Sequence, residues 1–430
     1  MSGSSLLEGV MERVERASRD PRALEEARKA LIDTIAVAAA AYGLAGPPPT
    51  MHGESGGRSL VLGSWKRAGT LEAAAANGFL AHALELDDWL ARGYVHAGAV
   101  VVPAIIAVGL DASLGEVLRA VAAGYEAAGA IGAMGGRGYY AVWHTTATAG
   151  SAGAAASASL LLEGHVESAI AVAVNYMGGL WNVPRRGDIK PHSTAHAAAT
   201  GVLAALSTRG MKVESRVLEE ACELHYFDRC MLEVLPRDPM ILYNGYKFYP
   251  ACRHTHSAIH AALRAREKVG GPEGVERVEV VVGEEAARVA GIASPRTVGE
   301  ARFSLRYLIA ASLAYGRLGL GEVERGLRDP VVKRLMEKIV VSVSDEYTEA
   351  YPERQPAMVR VHAGGSVVEE VVEEPPGYRG VNVSLEDIVG KARSLAREAG
   401  DPRIARVAED LARAGESASL GEVLGVEPRR

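Results

Sequence analysis

Five ionisable residues stand close together between residues 81 and 103, in a segment that is otherwise apolar. They are His82, Glu85, Asp87, Asp88 and His96. Acids at three-residue spacing, such as Glu85 and Asp88, share one face of a helix. Burying such groups costs free energy unless each has a partner or a function. Two carboxylates and an imidazole near one cleft would suit abstraction of a proton beside a carboxylate group. A helix with a solvated acidic edge is the alternative interpretation.

Two further clusters carry histidine and lysine near predicted helix starts. His144 follows a glycine-rich loop and precedes a small-residue helix, where the helix dipole disfavours an imidazolium and favours bound anions. A structural histidine beside a threonine cap is the alternative. Lys190 also precedes a helix and is well placed to meet a substrate carboxylate. His192 and His196 have the spacing of metal ligands, but no HExxH glutamate accompanies them, so we predict no metal site.

The segment from residue 246 to residue 256 is dense in groups that bind anions and transfer protons. These groups are Lys247, Tyr249, Arg253 and His256. Cys252 lies among them, and without a Cys-His-Asn pattern it is predicted to line a pocket rather than to act as a nucleophile. Tyr307 lies near the start of a later predicted helix and is a further candidate residue of the site. A position in the hydrophobic core is the alternative.

Composition limits the class of protein. The chain has 430 residues and a net charge of -6, without a run of lysine or arginine, which argues against nucleic acid as a partner. Three cysteines without a CxxC pattern suit a reducing cytoplasm. The apolar run from Ala30 to Ala45 contains Asp33 and is short for a membrane span, so it predicts a core helix. A single glutamine beside abundant arginine and glutamate resembles thermophilic composition.

Periodicity predicts a mostly α protein with an α+β part. From Leu6 to about Lys212 the pattern is helical throughout, whereas β-branched runs begin near residue 275. The last two runs form a predicted hairpin around Gly364 and Gly365. We therefore predict a large helical domain (1–265), an inserted α+β lid domain (266–380) and C-terminal helices that return to the first domain (381–430).

Six segments in this order resemble the MmgE/PrpD family, which includes 2-methylcitrate dehydratase, cis-aconitate decarboxylase and iminodisuccinate epimerase. The segments are NGFLAHALELDDW, VHAGAVVVPA, GYEAAGAIGA, WHTTATAGSAGAAASASLLL, DIKPHSTAHAAATGVLAAL and YKFYPACRHTHSAIHAAL. The resemblance implies a large all-helical domain with a smaller α+β lid domain, usually in a homodimer. It also implies catalysis without a metal, an iron–sulfur cluster or an organic cofactor.

The resemblance also carries over residue by residue. Positions that match the family pattern are Asp87, Asp88, His96, His144, Lys190, Lys247, Tyr249, His256 and Tyr307. Glu85 replaces the first Asp of D-x-D-D, and Trp89 replaces the threonine that often follows the acidic pair. Cys252 occupies a position that carries histidine in some decarboxylating members. Pro-Ser does not follow His96, and the usual K-x-x-H spacing after Lys190 is broken. Because of these departures from the family pattern, the resemblance does not indicate which substrate the protein binds.

The implied function is a cofactor-independent lyase that dehydrates a small, 2-methylcitrate-like 2-hydroxy di- or tricarboxylate. A decarboxylase, an epimerase and a non-catalytic binding protein are the alternatives. The base would be His144 or His96, oriented by Glu85 or Asp88, and the acid would be Tyr307 or His256. The predicted catalytic set is Glu85, Asp88, His96, His144, Lys190, His256 and Tyr307. The predicted binding set is Trp89, Lys247, Tyr249, Cys252 and Arg253.

Overall fold

The computed structural model describes residues 5–48, 56–180 and 189–426. Among these residues, one unit comprises those up to 180, those from 189 to 246 and those from 379 onward, and a second unit comprises 247–378. The predicted boundary after residue 265 differs from this division. The difference arises because the helix His256–Val269 packs against strands of the second unit.

The first unit is built from helices in which alanine, the strongest helix former, fills the interior. Its first ten helices are α1 (Leu6–Ala17), α2 (Pro21–Ala45), α3 (Thr70–Ala83), α4 (Gly98–Val108), α5 (Leu114–Val142), α6 (Ala149–Leu161), α7 (Val166–Asn175), α8 (Lys190–Ser207), α9 (Val217–Glu223) and α10 (Arg229–Glu233). Side chains at the helix starts supply caps: the Asp20 carboxylate precedes Pro21 at α2, and Ser113 with Glu116 forms a capping box at α5.

The first unit also contains two short antiparallel strand pairs, and three of these four strands lie in the region that was predicted to be helical throughout. They are β1 (Ser59–Val61) with β2 (Lys66–Ala68), and β3 (Trp89–Leu90) with β4 (Asn244–Gly245). The turn between β1 and β2 contains Gly63, whose φ of 81° suits glycine. The pair β3–β4 connects segments far apart in sequence, which no local periodicity could indicate.

Helices α3 and α8 approach each other closely at Gly78. A Cβ atom at this position would lie 2.7 Å from the backbone oxygen of Thr194. The Thr194 hydroxyl donates a hydrogen bond of 2.8 Å to the Gly78 carbonyl and so joins the two backbones. Because α3 ends just before Glu85 and α8 begins at Lys190, this close contact determines how the two residues meet.

The second unit packs helices against one mixed sheet with the strand order β6-β5-β7-β8. The strands are β5 (Val275–Val282), β6 (Ile339–Val343), β7 (Ala357–Ala363) and β8 (Ser366–Val372), and the helices are α11 (His256–Val269), α12 (Glu284–Val289), α13 (Val298–Ala301), α14 (Leu305–Tyr315), α15 (Leu320–Arg325), α16 (Pro330–Glu337) and α17 (Asp345–Glu349). Strands β5 and β6 are parallel, and the other neighbours are antiparallel. The predicted hairpin is confirmed: Gly364 and Gly365 have φ of 55° and 77°.

The chain then returns to the first unit through α18 (Leu385–Ala399), α19 (Pro402–Arg413) and α20 (Leu420–Val423). Lys391 of α18 pairs with Asp33 of α2, with 2.7 Å between Nζ and Oδ1. Lys391 Nζ also donates a hydrogen bond of 2.7 Å to the Leu86 carbonyl, so α18 holds the segment that carries the acidic cluster. Within the described residues, no helix is long and apolar enough to cross a membrane, and α2 is a core helix as predicted.

We expect Gly78→Ala to destabilise the first unit, because its methyl group would push against the α8 backbone. The expected loss in the free energy of unfolding is about 1–3 kcal/mol, even though alanine is the better helix former. Gly390→Ala is the matched control: Gly390 is also inside a helix, but an added Cβ would meet nothing within 4 Å. The control should gain about 0.5–1 kcal/mol in urea unfolding. Equal gains for both variants would contradict the close-approach interpretation.

Candidate active site

The acidic cluster lies beyond the end of a helix rather than along one. Helix α3 ends at Ala83, and Glu85 has a φ of 53°, in the left-handed region. The prediction that Glu85 and Asp88 share one helix face is therefore wrong. A non-glycine residue in this conformation costs on the order of 1 kcal/mol, and such strain is typical of functional sites. The turn it makes sends the three carboxylates to three different partners.

Glu85 forms an ion pair with Lys190, the first residue of α8. Both side chains are buried, with residue exposures of 4% and 2%. The helix dipole disfavours a cation at a helix N-terminus, and the negative charge of the neighbouring carboxylate offsets this unfavourable interaction. The pair is buried and hydrogen-bonded, so removal of either partner would leave an uncompensated charge.

Asp87 holds two histidines at once. Its Oδ2 atom lies 2.6 Å from Nδ1 of His82 and 3.0 Å from Nδ1 of His96. His96 Nδ1 also lies 2.7 Å from the backbone oxygen of Asp88, and the His96 amide donates to the Thr146 hydroxyl at 3.0 Å. Asp87, which the predicted site set did not include, is thus the carboxylate between these two histidines, and the predicted orienting role of Glu85 or Asp88 remains a prediction.

A third imidazole, that of His144, packs beside the two that Asp87 contacts. The ring centroid of His82 is 4.8 Å from that of His96 and 5.9 Å from that of His144. Trp89 covers His96, with 4.8 Å between ring centroids. Burial, together with Lys190 and the other two histidines, lowers the pKa of His144 well below its usual value. A neutral imidazole can accept a proton, as a general base must.

Asp88 is surrounded by hydrogen-bond donors. Its Oδ1 accepts from the Gly98 amide at 3.0 Å, at the start of α4, and its Oδ2 accepts from the Tyr125 hydroxyl and from Asn244 Nδ2, the latter at 2.9 Å. Burial raises the pKa of Asp88 to about 7, although the hydrogen bond from Tyr125 acts in the opposite direction. These contacts join α4, α5 and β4, which favours a structural role; the predicted catalytic role remains a prediction.

One group of three side chains in the described part of the chain has the spacing of a metal site. Ligand atoms of His82, Asp87 and His96 lie within 4.8 Å of one another. Both Nδ1 atoms, however, lie at hydrogen-bond distances from the Asp87 oxygen, an arrangement that N–H donors explain directly. The donor set therefore fits a hydrogen-bonded triad as it stands, and the absence of a metal remains a prediction.

The second unit holds the other predicted residues. Tyr249 has its hydroxyl 2.9 Å from His260 Nδ1, and its ring lies 5.3 Å from that of His256. Burial raises the pKa of Tyr249 to about 12. His256 is fully buried and donates from Nε2 to the Ala251 carbonyl at 3.2 Å. Lys247 and Cys252 are buried as well. Their predicted roles remain predictions.

Arg253 is buried in the second unit, and no carboxylate of the described residues lies within hydrogen-bond distance of its guanidinium. Its residue exposure is 2%, and none of its three side-chain nitrogens has a hydrogen-bond partner among the described residues. The guanidinium carbon lies 4.8 Å from the ring centroid of Tyr378. Burial lowers the pKa of Arg253 to about 10. A buried cation of this kind is costly unless an anion joins it.

Tyr307 belongs to the hydrophobic core of the second unit. Its hydroxyl donates a hydrogen bond of 2.6 Å to the Val323 carbonyl, and burial raises its pKa. These contacts are those of a structural tyrosine, which was the alternative interpretation of the sequence. The predicted role as an acid gains no support from them.

The predicted site set omitted several residues that the structure brings into the cluster. These are His82, Asp87, Tyr125 and Asn244. The position of His82, one helical turn before Glu85, was a usable signal, because the residue could share a face with the end of α3. Tyr125 stands in an alanine- and glycine-rich stretch of α5 (residues 120–130), which indicates a buried hydroxyl that needs a partner. Asn244 carried no signal, since its partner is distant in sequence.

We expect Asp88→Asn to remove a pH dependence of stability. In the unfolded chain Asp88 ionises near its usual pKa of 3.8, whereas in the folded protein it keeps its proton up to about 7. Folded protein therefore binds more protons in this window, and wild-type stability relative to the variant should fall by about 1.4 kcal/mol per pH unit as pH rises from about 4 to about 7.

Urea unfolding of wild type and variant from about pH 5 to about pH 8 measures this difference. Exposed Asp111→Asn is the control and should show no such trend. A wild-type advantage that grows with pH would show that Asp88 is ionised throughout.

Comparison with known proteins identifies relatives over most of the chain. Residues 9–225 match the MmgE/PrpD N-terminal domain, and residues 249–416 match the MmgE/PrpD C-terminal domain. The cis-aconitate decarboxylase-like protein oryM of Aspergillus oryzae is 26% identical over 87% of this chain and 85% of its own length. A cis-aconitate decarboxylase of Aspergillus terreus is 26% identical over 84% of this chain and 82% of its own length.

These matches span both units and agree with the resemblance that the motifs indicated. The decarboxylase relatives are lyases, which supports an enzymatic role. The chain belongs to the MmgE/PrpD family.

Proposed function

We propose that this protein is a cofactor-independent lyase that moves a proton at the carbon beside a carboxylate of a small di- or tricarboxylate. The observation that carries this proposal is the buried cluster of the first unit, in which three histidines, three acids and a lysine lie together. Burying so many ionisable groups is expensive, and such clusters are typical of sites where pKa values are adjusted for catalysis. The first candidate reaction is dehydration of a 2-methylcitrate-like 2-hydroxy acid.

In this reaction a neutral histidine, His144 or His96, accepts the proton from the carbon beside the carboxylate. The low pKa of His144 keeps it unprotonated and ready to accept. The electron pair of the broken C–H bond forms the carbon–carbon double bond, and the hydroxyl on the neighbouring carbon leaves as water after it receives a proton from an acid. The Lys190 ammonium, neutralised by Glu85 at rest, stabilises the negative charge that develops on the substrate carboxylate.

Decarboxylation is the second candidate, because two relatives are named cis-aconitate decarboxylases. In that case a carbon–carbon bond breaks, carbon dioxide leaves, and a proton is delivered to the carbon that loses it. Cys252 stands where some decarboxylating members of the family carry histidine, which favours dehydration. Dehydration needs a proton acceptor and an acid, decarboxylation needs a proton donor, and both reactions need a cationic group that binds a carboxylate.

The proposal is tested by proton NMR of the purified protein in heavy water with 2-methylcitrate, citrate, cis-aconitate and aspartate-derived imines. A new vinyl signal indicates dehydration, loss of a carboxylate indicates decarboxylation, and deuterium at the carbon beside a carboxylate without other change indicates epimerisation. No change with any of these compounds would contradict the proposal for citrate-like substrates.

We expect His144→Ala to lower kcat by about 10²–10⁴-fold, the usual contribution of one positioned acid or base. The variant removes a buried imidazole that contacts no solvent, so its folding must be checked by circular dichroism. His165→Ala is the matched control, because His165 is exposed at the start of α7 and makes no side-chain capping bond. Turnover by His144→Ala at the control rate would exclude His144 as the base.

We propose that Arg253 binds a carboxylate of the substrate, since its guanidinium is buried and has no hydrogen-bond partner among the described residues. A non-reactive tricarboxylate such as tricarballylate should then raise the unfolding temperature of wild type but not of Arg253→Met. Without ligand the variant should be at least as stable as wild type, because it no longer buries an unpaired charge.

Exposed Arg296→Met of the same unit is the control and should respond to tricarballylate like wild type. Equal stabilisation of wild type and Arg253→Met would contradict this role.

A further inference from the structure

The Asp87 carboxylate is the point at which two of the three histidines of the cluster meet. Its side chain is fully buried, and so is that of His82, while His96 is 6% exposed. The residues come from three places in the chain: His82 from α3, Asp87 from the turn after it, and His96 from the segment before α4. One oxygen, Oδ2, receives both contacts, at 2.6 Å and 3.0 Å.

The chemistry of the acceptors determines where the ring protons are. A backbone carbonyl can only accept a hydrogen bond, so Nδ1 of His96, 2.7 Å from the Asp88 oxygen, must carry a proton. The carboxylate of Asp87 likewise accepts from Nδ1 of His82. In a neutral imidazole only one ring nitrogen carries a proton. When that nitrogen is Nδ1, Nε2 has a lone pair and can accept a proton.

The remaining nitrogen of His82 agrees with this assignment. His82 Nε2 is buried and has no hydrogen-bond partner among the described residues. An unprotonated Nε2 would leave its lone pair available to another group at this point. Its ring lies next to those of His96 and His144, where the proposed proton transfer takes place.

We infer that Asp87 is a positioning residue that holds His82 in the Nδ1–H form and, together with the Asp88 carbonyl, holds His96 in the same form, so that Nε2 of each is presented as a proton acceptor. This inference deepens the proposed function and rests on it for its catalytic consequence. The tautomers themselves are a property of the resting protein and can be measured without a substrate. Asp87 therefore acts through the two imidazoles and is not assigned a contact with the substrate.

The test is nitrogen-15 NMR of perdeuterated protein labelled at histidine, with signals assigned by His82→Gln and His96→Gln. Two-bond proton–nitrogen correlations distinguish Nδ1–H from Nε2–H. Wild type should show Nδ1–H for both rings. In Asp87→Asn the amide can also donate, so at least His82 should lose the fixed Nδ1–H form, as seen by a change in its correlation pattern.

Exposed Asp111→Asn is the matched control and should leave both patterns unchanged. Wild-type rings in the Nε2–H form, or patterns that Asp87→Asn does not alter, would overturn the inference. So would signals showing that a metal occupies both Nδ1 atoms after purification.

A kinetic measurement adds the functional consequence on any substrate found by NMR. Asp87→Asn should lower kcat by about 10²-fold or more, with little change in KM, because the proton acceptor and not the binding group is altered. A purely structural role would raise KM and lower the unfolding temperature as well. If no substrate is found, the tautomer result still decides the inference, so its failure can be told apart from failure of the proposed function.

Discussion

The first unit depends on one constraint: charged groups buried in a core of alanine and glycine must find partners inside it. Small side chains let helices approach until backbone atoms touch, as at Gly78 and Thr194, and leave little room for water. Each buried ionisable group then needs an opposite charge or hydrogen-bond donors. Asp33 has Lys391, Glu85 has Lys190, and Asp88 has a set of donors. The close helix packing excludes water, and the pairing of the buried ionisable groups follows from that exclusion.

The turn after α3 converts a simple run of acids into three distinct environments. Had the helix continued, Glu85 and Asp88 would have faced the same way and repelled each other. The left-handed conformation of Glu85 ends the helix and separates them. Glu85 then meets a cation, Asp87 meets two imidazoles, and Asp88 joins α4, α5 and β4. These contacts offset the strain at Glu85, and one short motif therefore supplies an ion pair, a carboxylate between two imidazoles and a link between three elements.

The two units contribute different chemistry. The first holds proton acceptors beside a neutralised lysine, which suits removal of a proton next to a carboxylate. The second holds Arg253, whose buried guanidinium has no hydrogen-bond partner among the described residues, and such a group suits recognition of a carboxylate. Family membership and the decarboxylase relatives agree with a lyase reaction, and the departures at Trp89 and Cys252 bear on the substrate rather than on the fold.

The sequence alone determined the elements and the family. Helical periodicity, capping residues, β-branched runs and the Gly364–Gly365 turn are local signals, since they depend on neighbours within a few residues. It also indicated which residue types could do chemistry, because His96, His144 and Lys190 stand in recognisable motifs. Only the tertiary structure decided which groups meet. That the Asp87 carboxylate lies between two histidines depends on one backbone conformation, and that Asp88 meets Asn244 depends on a strand pair far apart in sequence. Such pairings arise from packing across the whole unit, which no local pattern encodes.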